Sequence, residues 1–152
     1  MTDDLTSAAP VELILGGGSL LVQVGRDLNT ETERLLAPYD LTAQQAALLL
    51  HAARGGATPS GLMRQLGTDT AGMTRLLDRM QAKELLVRAR HPGDRRSVVI
   101  ELTPRGRALV PKLPPVFGRI TRQAFTGFSA EEVAQVTGML RRIVDNLASE
   151  PS

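Results

Sequence analysis

Cysteine is absent from the 152-residue sequence. Disulfide bonds, thiolate metal sites and cysteine-based catalysis or redox sensing are therefore excluded. The chain also has only two histidines, which leaves no cluster of the residue types that bind zinc. We expect neither a metal ion nor a cofactor.

Long apolar runs and aromatic side chains are scarce as well. Since no stretch of 18 consecutive apolar residues occurs, no membrane-spanning helix is predicted. Residues 1–10 are acidic where a secretory signal would be basic, so we expect a flexible tail there and a cytoplasmic location. Aromatic residues make up 3% of the chain and hydrophobic residues 42%, which predicts an aliphatic core.

The net charge of +2 is distributed unevenly along the chain. Residues 1–53 carry a net charge of −5, residues 54–107 carry +6, and residues 108–152 carry +1. Clustered positive charge is typical of proteins that bind the phosphate backbone of nucleic acids. On charge alone, a solvated basic surface without such a partner is an equally good interpretation.

A first helix is predicted over residues 11–37, where apolar side chains recur at helical spacing, and Pro38 ends it. Three consecutive glycines, Gly16 to Gly18, lie within this segment. Each glycine disfavours a helix by about 1 kcal/mol relative to alanine. A helix that starts only after Gly18, with a looser arm before it, is therefore the alternative.

Three shorter helices are predicted next. Thr42 and Gln45 have the spacing of a capping box at the start of one, and Thr58-Pro59 and Gly67 mark the two ends of the next. After a linker of only three residues, a further helix is predicted over residues 70–83. Four apolar side chains form its inward face: Met73, Leu76, Leu77 and Met80. Two helices joined by so short a turn indicate a helix-turn-helix.

Two strand-like segments follow, residues 85–90 and 97–102. Between them, Pro92-Gly93 suits the central positions of a type II turn, because proline sets φ and glycine accepts a positive φ. Arg95 and Arg96 are then expected at the tip of a hairpin. Apolar residues at alternating positions predict the buried face of the second strand: Val98, Ile100 and Leu102. A helix-turn-helix followed directly by a basic hairpin is a winged helix.

The remaining residues predict two further helices. Thr103-Pro104 begins the first, and three prolines must kink or interrupt it: Pro111, Pro114 and Pro115. Ser129 and Glu132 have the spacing of a second capping box. Beyond them, apolar residues step by three and four over about two heptads: Val133, Val136, Leu140, Ile143 and Leu147. This seam is too short for a lone coiled coil and predicts a homodimer, with a monomeric three-helix packing as the alternative.

With these motifs in place, residues 41–109 resemble the MarR family of bacterial regulators. The family motifs correspond to three groups of residues: Thr74, Arg75 and Asp78; Asp94 and Arg96; and Leu102, Thr103 and Gly106. The sequence departs from the pattern at Glu84, where the family usually has glycine, at the three prolines of the fifth helix, and at Gly16 to Gly18.

The resemblance implies a mostly α (α+β) fold. Residues 41–103 would form a winged helix-turn-helix DNA-binding domain. Residues 11–37 and 104–150 would supply helices of an intertwined dimerisation domain.

DNA contacts are expected from two elements. On the recognition helix, arginine pairs bidentately with guanine, and threonine contacts a thymine methyl or a phosphate; the candidates are Thr70, Thr74, Arg75 and Arg79. Alternatively, Arg75 and Asp78 pair with each other at i, i+3. In the wing, the resemblance implies that Asp94 orients Arg96 for the minor groove. Arg95 is expected beside it, and Arg88 and Arg90 are expected on phosphates.

The resemblance also implies a pocket for a small phenolic or aromatic acid between the dimer helices and the winged domain. The polar candidates there are Arg26, Tyr39 and His51. For a lone tyrosine or histidine the ordinary alternative is a packing role.

The motifs and the resemblance together therefore predict a dimeric, sequence-specific regulator of transcription, a repressor that binds a pseudo-palindromic operator on double-stranded DNA. The resemblance implies that a small aromatic or phenolic ligand releases it. A winged helix used for protein–protein contact, without DNA binding, is the alternative, and the charge of the middle third argues against it. No nucleophile–base pair, paired carboxylates or phosphate-binding loop is recognisable, so an enzyme is not predicted.

Overall fold

The computed structural model describes residues 11–148, with side chains from residue 15 onward. The predicted tail over residues 1–10 lies outside this part of the chain. The described residues form seven α-helices and a two-stranded antiparallel sheet, in the order α1 (Val11–Leu36), α2 (Ala43–Ala52), α3 (Pro59–Leu66), α4 (Thr70–Ala82), β1 (Leu86–His91), β2 (Asp94–Leu102), α5 (Pro104–Leu109), α6 (Leu113–Ala124) and α7 (Ala130–Ala148). Short 3₁₀ turns at Ala37–Tyr39 and Val110–Lys112 follow α1 and α5.

Helix α1 runs without interruption through Gly16 to Gly18, so the alternative start after Gly18 is wrong. Helix propagation adds one hydrogen bond for each residue that joins, and residues on both sides of the glycines are helical. The free energy gained from these hydrogen bonds outweighs the low helix propensity of the three glycines. At its other end α1 stops at Leu36, one residue before the predicted end.

Side-chain caps set the starts of the helix-turn-helix helices, largely as predicted. The capping box of α2 is present, with the Thr42 side chain accepting from the Gln45 N–H at 3.2 Å and the Gln45 side chain accepting from the Thr42 N–H at 3.2 Å. The Gly61 N–H donates to Thr58 Oγ1 at 3.1 Å at the start of α3, and Gly67 ends that helix with φ of 60°. Helix α4 is capped by Asp69, whose carboxylate accepts the Gly72 N–H at 2.6 Å.

The core is aliphatic, as the composition predicts, and it lies where α2, α3, α4, the sheet and α6 meet. The predicted inward face of α4 is buried throughout: Met73, Leu76, Leu77 and Met80. Leu36 of α1 and Leu113 of α6 are fully buried in the same cluster. Each such leucine stabilises the fold by about 1.5–3 kcal/mol through burial. The C-terminal end of α1 therefore packs against the winged domain.

The hairpin differs from the prediction in three ways. Its turn is not type II, because Gly93 does not have a positive φ; instead the Gly93 N–H donates to His91 Nδ1 at 3.0 Å. Arg95 and Arg96 lie on β2 rather than at the tip, since Asp94 already pairs with His91. The register shifts between Arg90 and His91, so residues 95–97 form a bulge on β2.

Burial along β2 departs from the predicted alternation at the valines. Val98 is 40% exposed, whereas Val99 is only 5% exposed, so the predicted burial of Val98 is wrong. Ile100 and Leu102 are buried as predicted. Ile100 also pairs with Ala57 in an isolated bridge that attaches the sheet to the segment before α3.

Beyond the hairpin, the prolines interrupt the fifth predicted helix, which is divided into α5, the 3₁₀ turn and α6. The capping box at the start of α7 is present, with the Ser129 N–H donating to Glu132 Oε2 at 2.7 Å and the Glu132 N–H donating to Ser129 Oγ at 3.2 Å. None of the 19 residues of α7 is buried. In the described part of the chain no helix is both long and apolar enough to cross a membrane.

Between α4 and β1, Glu84 has φ of 58°, in the left-handed region that favours glycine. Its carbonyl accepts a hydrogen bond from Thr103 Oγ1 at 2.6 Å, and its carboxylate lies 3.6 Å from Arg105. The segment that follows the wing therefore stabilises this turn, although the left-handed conformation of Glu84 costs about 1–2 kcal/mol.

Candidate nucleic-acid interface

The exposed face of α4 carries the four residues predicted to contact DNA, Thr70, Thr74, Arg75 and Arg79. Their placement follows from the burial of the opposite, apolar face in the core. The Thr74 hydroxyl donates to the Thr70 carbonyl at 2.9 Å, which leaves its methyl group and oxygen lone pairs for an external partner. The guanidinium groups of Arg75 and Arg79 form no hydrogen bond or ion pair with any described residue.

The alternative pairing of Arg75 with Asp78 does not occur. Asp78 instead accepts a hydrogen bond from Arg88 of β1 at 2.6 Å. Arg88 also donates to Gln81 at 2.6 Å, so its guanidinium is held against α4 rather than projected outward like that of a phosphate ligand. This contact places β1 alongside the exposed face of α4.

In the wing, Asp94 binds the bulge that contains the two arginines. Its Oδ1 accepts the Arg96 N–H at 2.9 Å, and its Oδ2 accepts from the Ser97 hydroxyl at 2.8 Å. The Arg96 N–H, and after it the Ser97 hydroxyl, lowers the pKa of the Asp94 carboxyl because both donors stabilise the carboxylate. Asp94 thus contacts Arg96 through its main chain, not through its guanidinium.

Apart from that of Arg88, the guanidinium groups of the wing are available to an external ligand. Arg90, Arg95 and Arg96 are exposed, and their side chains have no hydrogen-bond or ion-pair partner among the described residues. Together with Arg75 and Arg79 they place five unpaired cations on α4 and the β1–β2 hairpin. Such a surface attracts a polyanion, and planar guanidinium groups suit both phosphates and guanine edges.

The three residues predicted to line a ligand pocket are not brought together. Tyr39 is half-buried and lines two clefts, neither of which includes Arg26 or His51. Arg26 is exposed on α1. His51 lies in α2, and its buried Nδ1 has no hydrogen-bond partner in the described part of the chain.

One of the Tyr39 clefts combines apolar walls with two cations that the sequence did not single out. It has a volume of about 320 Å³ and is lined by Leu35, Pro38, Tyr39, Lys112, Pro115, Val116 and Arg119. The second cleft, of about 250 Å³, shares Tyr39 and Lys112 with it. Lys112 lies in the 3₁₀ turn between α5 and α6, so only the interruption by Pro111 could have hinted at its position.

The predicted dimer seam on α7 is largely uncovered. Val133 and Val136 are half-buried, whereas Leu140, Ile143 and Leu147 are 40%, 36% and 82% exposed. Helix α1 exposes further large apolar side chains: Leu15, Leu20, Leu21, Val22, Val24 and Leu28. We call these two helical faces the apolar arm.

Among the described residues, no group of three His, Asp or Glu side chains could hold a metal ion.

Comparison with known proteins supports the interpretation of α3, α4 and the hairpin as a winged helix-turn-helix. A family model described as MarR family matches residues 39–97. The multiple antibiotic resistance protein MarR of Salmonella typhimurium is 32% identical over 129 residues, which cover 84% of this chain and 90% of that protein.

Solved structures agree with the sequence comparison. A mutant MarR from E. coli complexed with operator DNA has a TM-score of 0.75 and 29% identity, covering 87% of this chain and 96% of that one. BpsR of Bordetella bronchiseptica, whose DNA binding is regulated by 6-hydroxynicotinic acid, has a TM-score of 0.74 and 30% identity, covering 84% of this chain and 92% of that one. The chain therefore belongs to the MarR family of winged helix-turn-helix transcriptional regulators.

Proposed function

We propose that this chain is a homodimeric repressor that binds double-stranded DNA through α4 and the β1–β2 hairpin and is released by a small aromatic acid. The observation that carries the proposal is that five guanidinium groups on α4 and the hairpin have no partner among the described residues: Arg75, Arg79, Arg90, Arg95 and Arg96. A folded domain that leaves so many planar cations unpaired on one helix and the adjoining hairpin is suited to bind phosphates and base edges.

The two elements would read different grooves. Helix α4 enters the major groove, where Arg75 and Arg79 donate to guanine and Thr70 and Thr74 contact a thymine methyl or a phosphate. The hairpin lies over the adjacent minor groove, whose negative potential attracts arginine. There Asp94 keeps the bulge ordered so that Arg96 and its neighbour Arg95 project toward the DNA, while Arg90 contacts the backbone.

A second copy of the chain would cover the apolar arm. Leucine, valine and isoleucine side chains on two helices are left in water by a single protomer, and each gains about 25 cal/mol per Å² of apolar surface when it is covered. A two-fold axis through such an arm presents two α4 helices to one side of the duplex. It predicts a pseudo-palindromic operator with half-sites one helical turn apart, and occupancy of that operator represses transcription by blocking access to the promoter.

The effector would bind in the cleft beside Tyr39. Lys112 and Arg119 supply the charge for a carboxylate, Tyr39 supplies a hydroxyl, and Pro38 and Pro115 supply flat apolar walls for a ring. The volume of about 320 Å³ is at the lower end of small-molecule sites, as a single-ring acid requires. The regulation of BpsR by 6-hydroxynicotinic acid supports this choice of ligand class.

Release would follow from the position of this cleft between the base of α1 and α6, next to the turn that leads into α2. A ligand there changes DNA affinity only if it binds better to a state in which the two α4 helices no longer match the half-sites. The competing role, a winged helix for protein–protein contact, gives no reason for the unpaired arginines.

The test is DNA binding by the purified full chain. A duplex of about three helical turns is selected from a random library, and its affinity is measured by fluorescence anisotropy over a range of salt concentrations. We expect a salt-dependent complex that R95A/R96A weakens at least tenfold. R122A/R142A removes the same charge from outside the winged module and should retain most of the affinity. Failure to select any sequence, or equal losses in the two double variants, would contradict the proposal.

A further inference from the structure

Arg88 joins the wing to the recognition helix. Its Nη2 donates to Asp78 Oδ1 and its Nη1 donates to Gln81 Oε1, both at 2.6 Å. Asp78 and Gln81 lie one turn apart on α4, and Arg88 is paired across the sheet with Ile100, which is in the core. One planar guanidinium therefore holds two adjacent points of α4 to the rigid part of the hairpin.

The contact with Arg88 engages the carboxylate of Asp78. Asp78 lies three residues after Arg75, on the exposed face of α4, where a helix brings side chains at i and i+3 together. With its carboxylate free, Asp78 would pair with Arg75 or repel the phosphates beside it. In the structure the Asp78 carboxylate is bound by Arg88, and the Arg75 guanidinium has no partner among the described residues.

We propose that Arg88 is a positioning residue for DNA recognition and not a phosphate ligand; the proposal rests on the DNA-binding function given above. Arg88 withdraws Asp78 from Arg75, so that Arg75 remains free to donate to a base. Gln81 supplies the second acceptor and thereby fixes the plane of the guanidinium. Lysine would replace it only in part, because an ammonium group can pair with Asp78 but lacks the rigid fork that meets both acceptors.

Four variants separate this role from a phosphate contact: R88A, R88K, D78A and R88A/D78A. The selected duplex and an unrelated duplex are each titrated over a range of salt concentrations. We expect R88A to lose about tenfold in affinity for the selected duplex, with little change on the unrelated one and no change in salt slope. R88K keeps a cation for Asp78 and should lose less. R90A, the matched control on the same strand, should weaken both duplexes and lower the slope by about one.

Coupling between Arg88 and Asp78 is the decisive measurement. D78A should change affinity less than threefold when Arg88 is present, because the carboxylate is already occupied. In the R88A background, removal of Asp78 should restore most of the tenfold loss. A hairpin that is merely loosened by R88A would not be restored in this way. Thermal unfolding of each variant confirms that it is folded at the assay temperature.

A readout without DNA keeps this inference separate from the proposed function. In nitrogen-15 NMR spectra of the free protein, the Arg75 Nε–Hε resonance should move in R88A and return in R88A/D78A. If wild type binds no DNA, the proposed function fails, whereas the NMR result still decides whether Arg88 withdraws Asp78. A salt slope lowered by about one in R88A, or an Arg75 resonance that does not respond, would overturn the inference.

Discussion

Gly106, in the first turn of α5, lies directly against the main-chain carbonyl of Leu85. A Cβ atom at position 106 would overlap that oxygen and crowd the carbonyl carbon. The same carbonyl accepts the Thr103 N–H at 3.1 Å, and Thr103 Oγ1 in turn accepts the Gly106 N–H at 3.1 Å. The segment after the wing thus packs on the turn that precedes the wing. This close contact explains why the L-T-x-x-G motif has glycine at position 106, where any side chain would clash.

Substitution G106A should lower the free energy of unfolding by about 1–3 kcal/mol, because a backbone atom, unlike a side chain, cannot move aside cheaply. The measurement is urea unfolding followed by circular dichroism. G118A is the matched control in α6, where a Cβ would lie 3.4 Å from the flexible end of Arg122, and it should be neutral or stabilising. Equal stability of the two variants would show that the Leu85 contact is unimportant.

Glycine at position 84 should stabilise the protein by about 0.5–1 kcal/mol. The gain is the relief of left-handed strain at Glu84, reduced by the greater freedom of glycine in the unfolded chain. The exposed pair with Arg105 contributes little, so its loss should not cancel the effect. E84A removes the same carboxylate without relieving the strain. An E84A variant as stable as E84G would therefore disprove the explanation.

Order in the wing bulge should be lost only under strongly acidic conditions. The Arg96 N–H and the Ser97 hydroxyl lower the pKa of Asp94 in the folded state. The stabilisation is thus present above the ordinary aspartate pKa and is lost as the pH falls through the lowered folded value. Titration of the Arg96 amide resonance should show a midpoint below that ordinary pKa of about 3.9. D94N, which has no carboxyl group to titrate, should abolish this transition.

A charge in the apolar arm should separate the protomers. The chain has a mass of 16.3 kDa, and light scattering after gel filtration should give twice that value for wild type. I143D should give the monomer mass and bind DNA more weakly, since the two half-sites are then bound independently. N146D adds the same charge to α7 at a polar exposed position and should remain dimeric. A monomeric wild type would refute the role of the arm.

The effector proposal predicts that 6-hydroxynicotinate weakens the DNA complex of wild type. K112A/R119A should bind DNA as wild type does but respond at least tenfold less to the ligand, because the carboxylate loses both cations. R122A, a neighbouring cation outside the cleft, should respond normally. Ligand titration of the complex in the anisotropy assay measures this. A full response of K112A/R119A would place the effector elsewhere.

Local signals in the sequence predicted much of the fold correctly. Both capping boxes, the glycine that ends α3 and the inward face of α4 occur where the sequence placed them. These features depend on hydrogen bonds and side-chain periodicity within about one helical turn. The exposed face of α4 followed from the same periodicity, which is why its threonines and arginines could be named in advance as candidates.

Interactions between distant residues could not be read in the same way. The sequence offered Arg75 as a partner for Asp78, because those two are near neighbours on one helix. In the structure Arg88, ten residues further along and on another element, takes that carboxylate. The bulge at residues 95–97 depends likewise on how two strands pair, which no single strand specifies.

The order of the helices, their caps, the aliphatic core and the cationic middle module were therefore determined by the sequence itself, since each depends on residues close together in the chain. Tertiary structure alone decided which cations remain unpaired, how the wing is joined to α4, and that Lys112 and Arg119 share a cleft with Tyr39. Those outcomes depend on which elements pack together, and packing is settled by the burial of the whole core rather than by any one segment.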